Sequence, residues 1–273
     1  MQHLASRQSL GASTETLLSI AATLDDTGLR TLGEELKSVA DLFNRELGIR
    51  RALSDSSVDA ESKTALAQRL LGGRIGDPAR RVLDKVVREN WSTGRDLTDA
   101  LGRLSRTAMF LRAERSGELD NVEDEIFRFG RIISGNPDLS NALDDKQGTP
   151  EARTNLVDRL LANKVHPLTV EMLMALASDP GGRSFSYGVD QLVAEAAQRK
   201  DKVVAVVTSA VPLTDDQSAR LNAALVRIYR RPVVVHVEVE PGLQGGLLVK
   251  VGDEVIDGSV AGRIAEIRSR LAG

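Results

Sequence analysis

The sequence predicts a mainly helical chain with a C-terminal α+β domain: two tandem small helical bundles, then a small mixed sheet with flanking helices. Three observations lead there. Aromatic residues make up only 3% of the 273, so the cores must be built from Leu, Val, Ile and Ala, which suits bundles better than aromatic-rich sandwiches. The front of the chain repeats itself at an offset of 90 residues, in helical phase. Near Arg199 the pattern changes to short β-branched runs.

The repeat needs no gaps. Ala65-Leu66-Ala67-Gln68-Arg69-Leu70-Leu71 lies over Asn155-Leu156-Val157-Asp158-Arg159-Leu160-Leu161, and Val82-Leu83 lies over Met172-Leu173. Upstream, Leu29, Leu32, Leu36, Val39, Leu42 and Phe43 fall on Leu119, Val122, Ile126, Phe129, Ile132 and Ile133. These positions advance by three or four, so each copy carries the same amphipathic helix. In the first copy, 14–24, 28–47, 60–71, 78–90 and 95 onward read as helices, broken at Asp55-Ser56-Ser57 and Gly72-Gly73. In the second, Asn136-Pro137 and Gln147-Gly148 supply the breaks, and Pro150 suits a first helical turn. Residues 95–115 read as one helix joining the copies. The expected domains are 1–105, 106–201 and 202–273.

In the last domain, 203–207 is a β-branched run and Val233 to Glu240 alternates in part. Between them, Thr214 and Gln217 form a capping-box signature before Leu221, Leu225 and Ile228. The stretch 243–251 reads as a strand carrying Gly245-Gly246, where missing side chains suggest a bulge or a close backbone approach. Asp257-Gly258 marks a tight turn and Ser259 a helix cap. The terminal helix 259–271 then shows Val260, Ile264, Ile267 and Leu271 on one face.

Catalytic chemistry finds little support. The chain has no cysteine, which removes disulfides, thiol nucleophiles and Cys-ligated metals. His3, His166 and His236 are isolated, with no metal-ligand spacing. The run 241–246 lacks the Lys-Ser or Lys-Thr of a phosphate cradle and precedes a strand, not a helix. Asp253, Glu254 and Asp257 read better as turn residues than as paired catalytic carboxylates. A net charge of −3 gives no general attraction to phosphate backbones, and the paired arginines read as solvated faces, so no nucleic-acid partner is expected. No stretch approaches the ~18 apolar residues of a membrane span, and residues 1–11 resemble no targeting segment.

The ordered set Gly245-Gly246, Gly252-Asp253 and Val255-Ile256-Asp257-Gly258-Ser259-Val260, followed by Gly262-Arg263-Ile264, resembles the C-terminal signature of the delta subunit of F-type ATP synthases. The mitochondrial counterpart of that subunit is the oligomycin sensitivity-conferring protein. The segment 208–214, Thr-Ser-Ala-Val-Pro-Leu-Thr, resembles the family's entry into this domain, and Asn90, Gly94, Arg95 and Leu97 resemble a family turn. The extra copy of 90 residues marks a long bacterial form.

The resemblance implies a peripheral-stalk stator subunit. It would have no active site, cofactor or metal, and would sit once per complex on the cytoplasmic side of the bacterial plasma membrane without inserting into it. By the family's example, the N-terminal helix of an alpha subunit would lie between the first and fifth helices of a bundle. In the first copy that means Leu17, Leu18, Ile20, Ala21 and Leu24 facing Val82, Leu83, Val86 and Val87. The C-terminal helix of the b subunit would engage the stripe Val260, Ile264, Ile267 and Leu271. A generic helical adaptor outside any ATPase is the alternative, and co-purification with a ring-shaped ATPase separates the two.

Overall fold

A computed structural model describes residues 4–145, 147–200, 203–229, 233–243, 245–251 and 254–258. The chain falls into two compact units, Met1–Ala196 and Ala197–Gly273.

The first unit is helical throughout: α1 (Leu4–Ala21), α2 (Asp26–Arg45), α3 (Leu47–Ser54), α4 (Ala60–Leu71), α5 (Asp77–Arg88), α6 (Gly94–Ser116), α7 (Leu119–Ser134), α8 (Pro137–Asp144), α9 (Pro150–Leu161), α10 (Pro167–Ser178) and α11 (Phe185–Lys200). The offset of 90 recurs in space. Helices α3, α4 and α5 reappear 90 residues on as α8, α9 and α10, with the same lengths. The fine contacts recur as well. Glu35 accepts from the Gly76 amide at 2.9 Å, and Glu125 accepts from the His166 amide at 2.9 Å. Asp55 and Asp145 each close an Asx turn onto the amide two residues ahead, both at 2.8 Å. Asp59 caps α4 through Ser62, as Thr149 caps α9 through Ala152.

Two hydrophobic cores lie within this unit. Leu32, Leu36, Val39, Phe43, Leu53 and Leu83 are buried in the first, and their counterparts Val122, Ile126, Phe129, Ile133, Leu143 and Leu173 in the second. Helix α6 serves both: it gives Leu97, Leu101, Leu104, Ala108 and Leu111 to one and Met109, Phe110 and Ala113 to the other. A helix with apolar residues around most of its circumference must be buried on several sides. The joining helix expected over 95–115 is therefore shared between the two cores.

Three boundaries differ from the sequence reading. Helix α1 begins at Leu4, ten residues before the expected start, and ends at Ala21, so Leu24 lies beyond it. Its early turns bury Ser6, Ser9 and Ser13 with a single apolar residue, Leu10, which hides them from hydropathy. Their hydroxyls are satisfied: Ser6 donates to Asp96 at 2.9 Å and Ser9 to the Asn90 carbonyl at 2.6 Å. Helix α2 stops at Arg45, and the unexpected α3 follows after Glu46. Finally, Gly245-Gly246 are not inside a strand. With φ of 95° and 83°, they form a turn that only glycine adopts cheaply, and β3 starts after them.

The second unit holds β1 (Val203–Ser209), α12 (Asp215–Tyr229), β2 (Val233–Val239), β3 (Leu247–Val251) and β4 (Glu254–Asp257), in the sheet order β2-β1-β3-β4. Strands β1 and β2 are parallel, which requires the α12 crossover, whereas β3 pairs antiparallel with both β1 and β4. The sheet is mixed, as expected. The Thr214–Gln217 capping box forms, with the Thr214 amide donating to Gln217 Oε1 at 2.9 Å and the Gln217 amide to Thr214 Oγ1 at 3.3 Å. Ala205, Val207, Val233 and Val249 meet Leu225 of α12 to form a small core. Gly252, Asp253, Ser259 and the whole segment 259–271, with Val260, Ile264, Ile267 and Leu271, lie outside the described residues.

The shared cap gives a first prediction. Glu35→Ala and Glu125→Ala each leave an amide at a helix start without its carboxylate, and each is expected to cost about 1–2 kcal/mol. Urea unfolding should give losses of similar size. A clear loss for one and none for the other would mean the two caps are not equivalent.

Candidate docking interface

The first and fifth helices do pack together, but most of the nine residues expected to line a groove are interior. Leu17, Ile20, Ala21, Val82, Leu83, Val86 and Val87 are all buried in the first core, while Leu18 and Leu24 pack on it half-buried. Helix-on-helix packing within the bundle accounts for the seven. Trp91 has a structural place too: its ring is buried and its indole N–H donates to the Val86 carbonyl at 2.8 Å, closing the end of α5.

The outer face of α5 is charged. Arg81 and Arg88 are exposed, and Lys85 one turn from each pairs with Glu89 at 2.6 Å. Positions i, i+4 and i+7 lie on one side of a helix, so these three cations form a single stripe.

The position on α10 that matches Arg81 is Glu171, half-buried and reached by side chains of α2 and α6. At the centre is Arg112 of α6, whose side chain is only 5% exposed. It donates to Asp26 of α2 at 2.8 and 3.1 Å and to Glu171 of α10 at 2.6 Å. Arg30 of α2 also pairs with Glu171. Further along, the Asn44 amide reaches Asp179 at 3.5 Å, and Ser105 donates to the Gly33 carbonyl at 2.7 Å. Gly33 lets the helices come close there, since a Cβ would stand 3.0 Å from the Met109 sulfur, which would have to give way. Arg115 binds the Leu24 and Ala21 carbonyls at 2.5 and 2.7 Å, holding the end of α1 to α6. On the far side Arg106 makes a bidentate pair with Glu195 of α11, both bonds 2.7 Å. A groove of about 490 Å³ remains beside these contacts, between α2, α6, α10 and α11.

Arg112 sets the protonation of its partner. Its hydrogen bond holds the Asp26 carboxyl below the ordinary aspartate value of 3.8, against the opposing effect of burial. A depressed carboxyl pKa adds stability that is present above the unfolded value and lost as pH falls through the folded one. Asp26 is largely exposed, so screening limits the effect to on the order of 1 kcal/mol. Asp26→Asn is accordingly expected to be less stable than the parent near pH 7, with the difference gone near about pH 2. A difference that persists at the acid end would mean that charge is not the cause.

In the second unit, Ser209, Val211, Leu213, Leu221 and the Gly245-Gly246 turn line a shallow surface groove. Glu254 accepts from the Tyr229 hydroxyl at 2.9 Å, an inter-element contact that ties β4 to α12. The Gly258 amide donates to the Leu247 carbonyl at 2.9 Å, and a Cβ on Gly258 would crowd that oxygen at 3.1 Å. The signature residues Gly245, Gly246 and Gly258 are thus backbone devices, and Asp257 pairs in register with Leu248. His166 is a helix cap: its Nδ1 accepts from the Leu168 amide at 3.2 Å. Among the described residues there is no cluster of metal-ligating side chains, and no helix is long and apolar enough to cross a membrane.

Nothing in the interior composition made the junction visible in advance. Arg112 sits in a helix of ordinary charge content, and its partners are 86 and 59 residues away. The only usable signal was a charged residue at a position where α6 has apolar neighbours on both sides.

Comparison with known proteins fits this architecture. The profile of the ATP synthase delta (OSCP) subunit family matches residues 106–271. ATP synthase subunit delta of Streptomyces griseus subsp. griseus is 44% identical over 271 residues, covering 98% of this chain and 99% of its own. The Streptomyces coelicolor protein of that name is also 44% identical, over 99% of this chain and 98% of its own. That of Acidothermus cellulolyticus is 47% identical over 88% of both chains. Most of the first helical copy lies outside the family profile, yet the alignments with both Streptomyces proteins take it in, spanning 98–99% of this chain. On the profile match and this identity over nearly the whole length, the chain belongs to the ATP synthase delta (OSCP) subunit family.

Proposed function

We propose that this chain is the peripheral-stalk stator subunit of a bacterial F-type ATP synthase, non-catalytic itself, linking the catalytic head to the membrane sector and resisting rotor torque. The observation that carries this is the 44% identity to ATP synthase subunit delta proteins over nearly the whole of both chains. It works as three parts, 1–105, 106–201 and 202–273, the first two built on the separate cores and joined by α6. Two docking parts in one chain gain affinity by effective concentration, on the order of 10²–10⁴-fold. A stator also needs slow release more than fast capture.

The helical unit holds the N-terminal helix of an alpha subunit, and the C-terminal domain holds the end of b. One copy serves each complex, on the cytoplasmic face of the plasma membrane. On the α1/α5 pair, the alpha helix meets the outer side; of the nine residues named for it, Leu18 and Leu24 are the ones within its reach. For b, the stripe Val260, Ile264, Ile267 and Leu271 is proposed as the seat, supported by the exposed apolar side chains of Val255 and Ile256 just before it. A chain truncated before Arg268 loses Leu271 and keeps Val260 and Ile264. It is expected to stay folded by circular dichroism and to lose b in a pull-down. Retained b binding, or global unfolding, would assign the stripe to covering the domain's own sheet.

The stalk reading as a whole is tested by native mass spectrometry of complexes gently extracted from membranes. The expected result is this chain in stoichiometric association with a ring-shaped ATPase. Its absence from such particles would sink the reading.

A further inference from the structure

Ser54 and Asp144 end two equivalent helices, α3 and α8, and they meet the next long helix differently. Asp144 accepts from the amide of Phe185, the first residue of α11, at 2.6 Å, so a carboxylate closes that N-terminus. Ninety residues earlier the same place holds Ser54, beside the start of α6. A Cβ on Gly94, the first residue of α6, would stand 2.9 Å from the Ser54 oxygen and 3.1 Å from Cγ of Arg50. A serine ends one atom sooner than an aspartate, and its hydroxyl turns back to donate to the Arg51 carbonyl at 3.3 Å. We infer that Ser54 is a phosphorylation site for an arginine-directed protein kinase, and that the phosphate takes the seat at the start of α6 that Asp144 holds at the start of α11.

The duplicate is the main support, because it shows an anion seated at the equivalent place. A phosphate reaches beyond the serine oxygen and brings up to about two negative charges to the positive end of a 23-residue helix. Arg50 packs against Gly94, and Arg51 is exposed. Both precede Ser54 by one helical turn, the kind of charge pattern by which a kinase with an acidic groove selects its substrate. The nearby carboxylates are already engaged. Asp55 accepts from the Ser57 amide and hydroxyl at 2.8 and 2.7 Å, Asp96 from the Ser6 hydroxyl at 2.9 Å, and Asp99 pairs with Arg183 at 3.2 Å. Arg95, next to Gly94, is exposed and donates to the Gly181 carbonyl at 2.9 Å. Access is available too. Ser54 is half-exposed, residues 55–59 are exposed, and α3 buries only Leu53, so so short a helix can open locally. In the transfer, the Ser54 oxygen attacks the terminal phosphorus of a nucleoside triphosphate and the bond to the bridging oxygen breaks. The hydroxyl proton passes to a base of the kinase, and the nucleoside diphosphate leaves. The modified residue then holds the start of α6, the helix that both cores share.

The test uses the full-length chain, ATP and the catalytic domain of a basophilic serine/threonine kinase. The expected product carries a single added phosphoryl group by intact mass, placed on Ser54 by peptide fragmentation. Arg50→Ala with Arg51→Ala is expected to slow incorporation by about tenfold or more. In phosphorus NMR the phosphate should titrate below its ordinary second pKa of about 6, because Arg50 and the helix start favour the dianion. A second arm needs no kinase. Ser54→Asp places a carboxylate where Asp144 has one, and is expected to unfold at higher urea concentration than Ser54→Asn, with the advantage lost as pH falls through the carboxylate range. No incorporation, incorporation at other serines alone, an ordinary phosphate titration, or equal stability of Ser54→Asp and Ser54→Asn would each overturn the inference. None of these outcomes bears on the stalk reading.

Discussion

Arg112→Ala is expected to lower the stability of the helical unit by roughly 2–4 kcal/mol, among the largest effects of any single polar substitution in the chain. Breaking a fully buried ion pair typically costs about 3–5 kcal/mol, because the surviving charge is left desolvated. Here the survivors Glu171 and Asp26 keep some contact with water, which discounts the figure. The lost aliphatic stem adds packing on the other side, since Arg112 lies beside Met109. Arg112→Lys should recover only part of the loss: an ammonium cannot bind Asp26 through two nitrogens while also reaching Glu171. Arg112→Met separates charge from volume. If it is as stable as the parent in urea unfolding, packing alone explains the site. If it falls with alanine, the clamp is electrostatic. A double-mutant cycle with Glu171→Gln should show coupling on the order of 1 kcal/mol, and additive losses would exclude a direct pair.

Much of this architecture was legible in advance, because the signals were periodic. The offset of 90 set the amphipathic helices of both copies, and the capping box at Thr214 and Gln217 set the start of α12. What escaped had no hydropathic signature. The first half of α1 buries serines, which read as polar surface until Asp96 and the Asn90 carbonyl arrive to satisfy them. Helix α3 is eight residues long and follows α2 after a single residue, so its periodicity merges with its neighbour's. The docking residues show a different gap. The resemblance to the delta subunit marked Leu17, Ile20, Val82 and Val86 for a partner helix, and apolar periodicity alone cannot say whether a face meets a partner or the protein's own core. In the structure they are buried in the first core. The paired arginines, Arg81 among them, had read simply as a solvated face, and Arg81 is exposed. What escaped entirely is the contact between Arg30 and Glu171, which depends on how the two copies pack. No one-dimensional pattern carries that.

Sharing α6 between two cores has a thermodynamic consequence, and a pair of phenylalanines can expose it. Phe43 belongs to the first core and Phe185 to the second, and both are essentially inaccessible to solvent. Phe185 also stands edge-on to Phe129, with ring centroids 6.3 Å apart, and its amide donates to Asp144 at 2.6 Å at the start of α11. Truncating either ring to alanine removes a large buried surface and leaves a cavity, at a cost of about 3–5 kcal/mol. If the copies unfolded independently, each substitution would move only its own transition. Helix α6 argues against that, because melting the second core frees Phe110 and Ala113, and a continuous helix cannot release them without weakening the hold of Leu104, Ala108 and Leu111 on the first. The Arg112 clamp ties α2 and α10 to the same segment. Phe43→Ala and Phe185→Ala are therefore expected to lower one common transition of the helical unit by similar amounts in calorimetry. A scan in which Phe185→Ala splits off an early transition and leaves the rest at the parent temperature would show two independent bundles joined only by a helix.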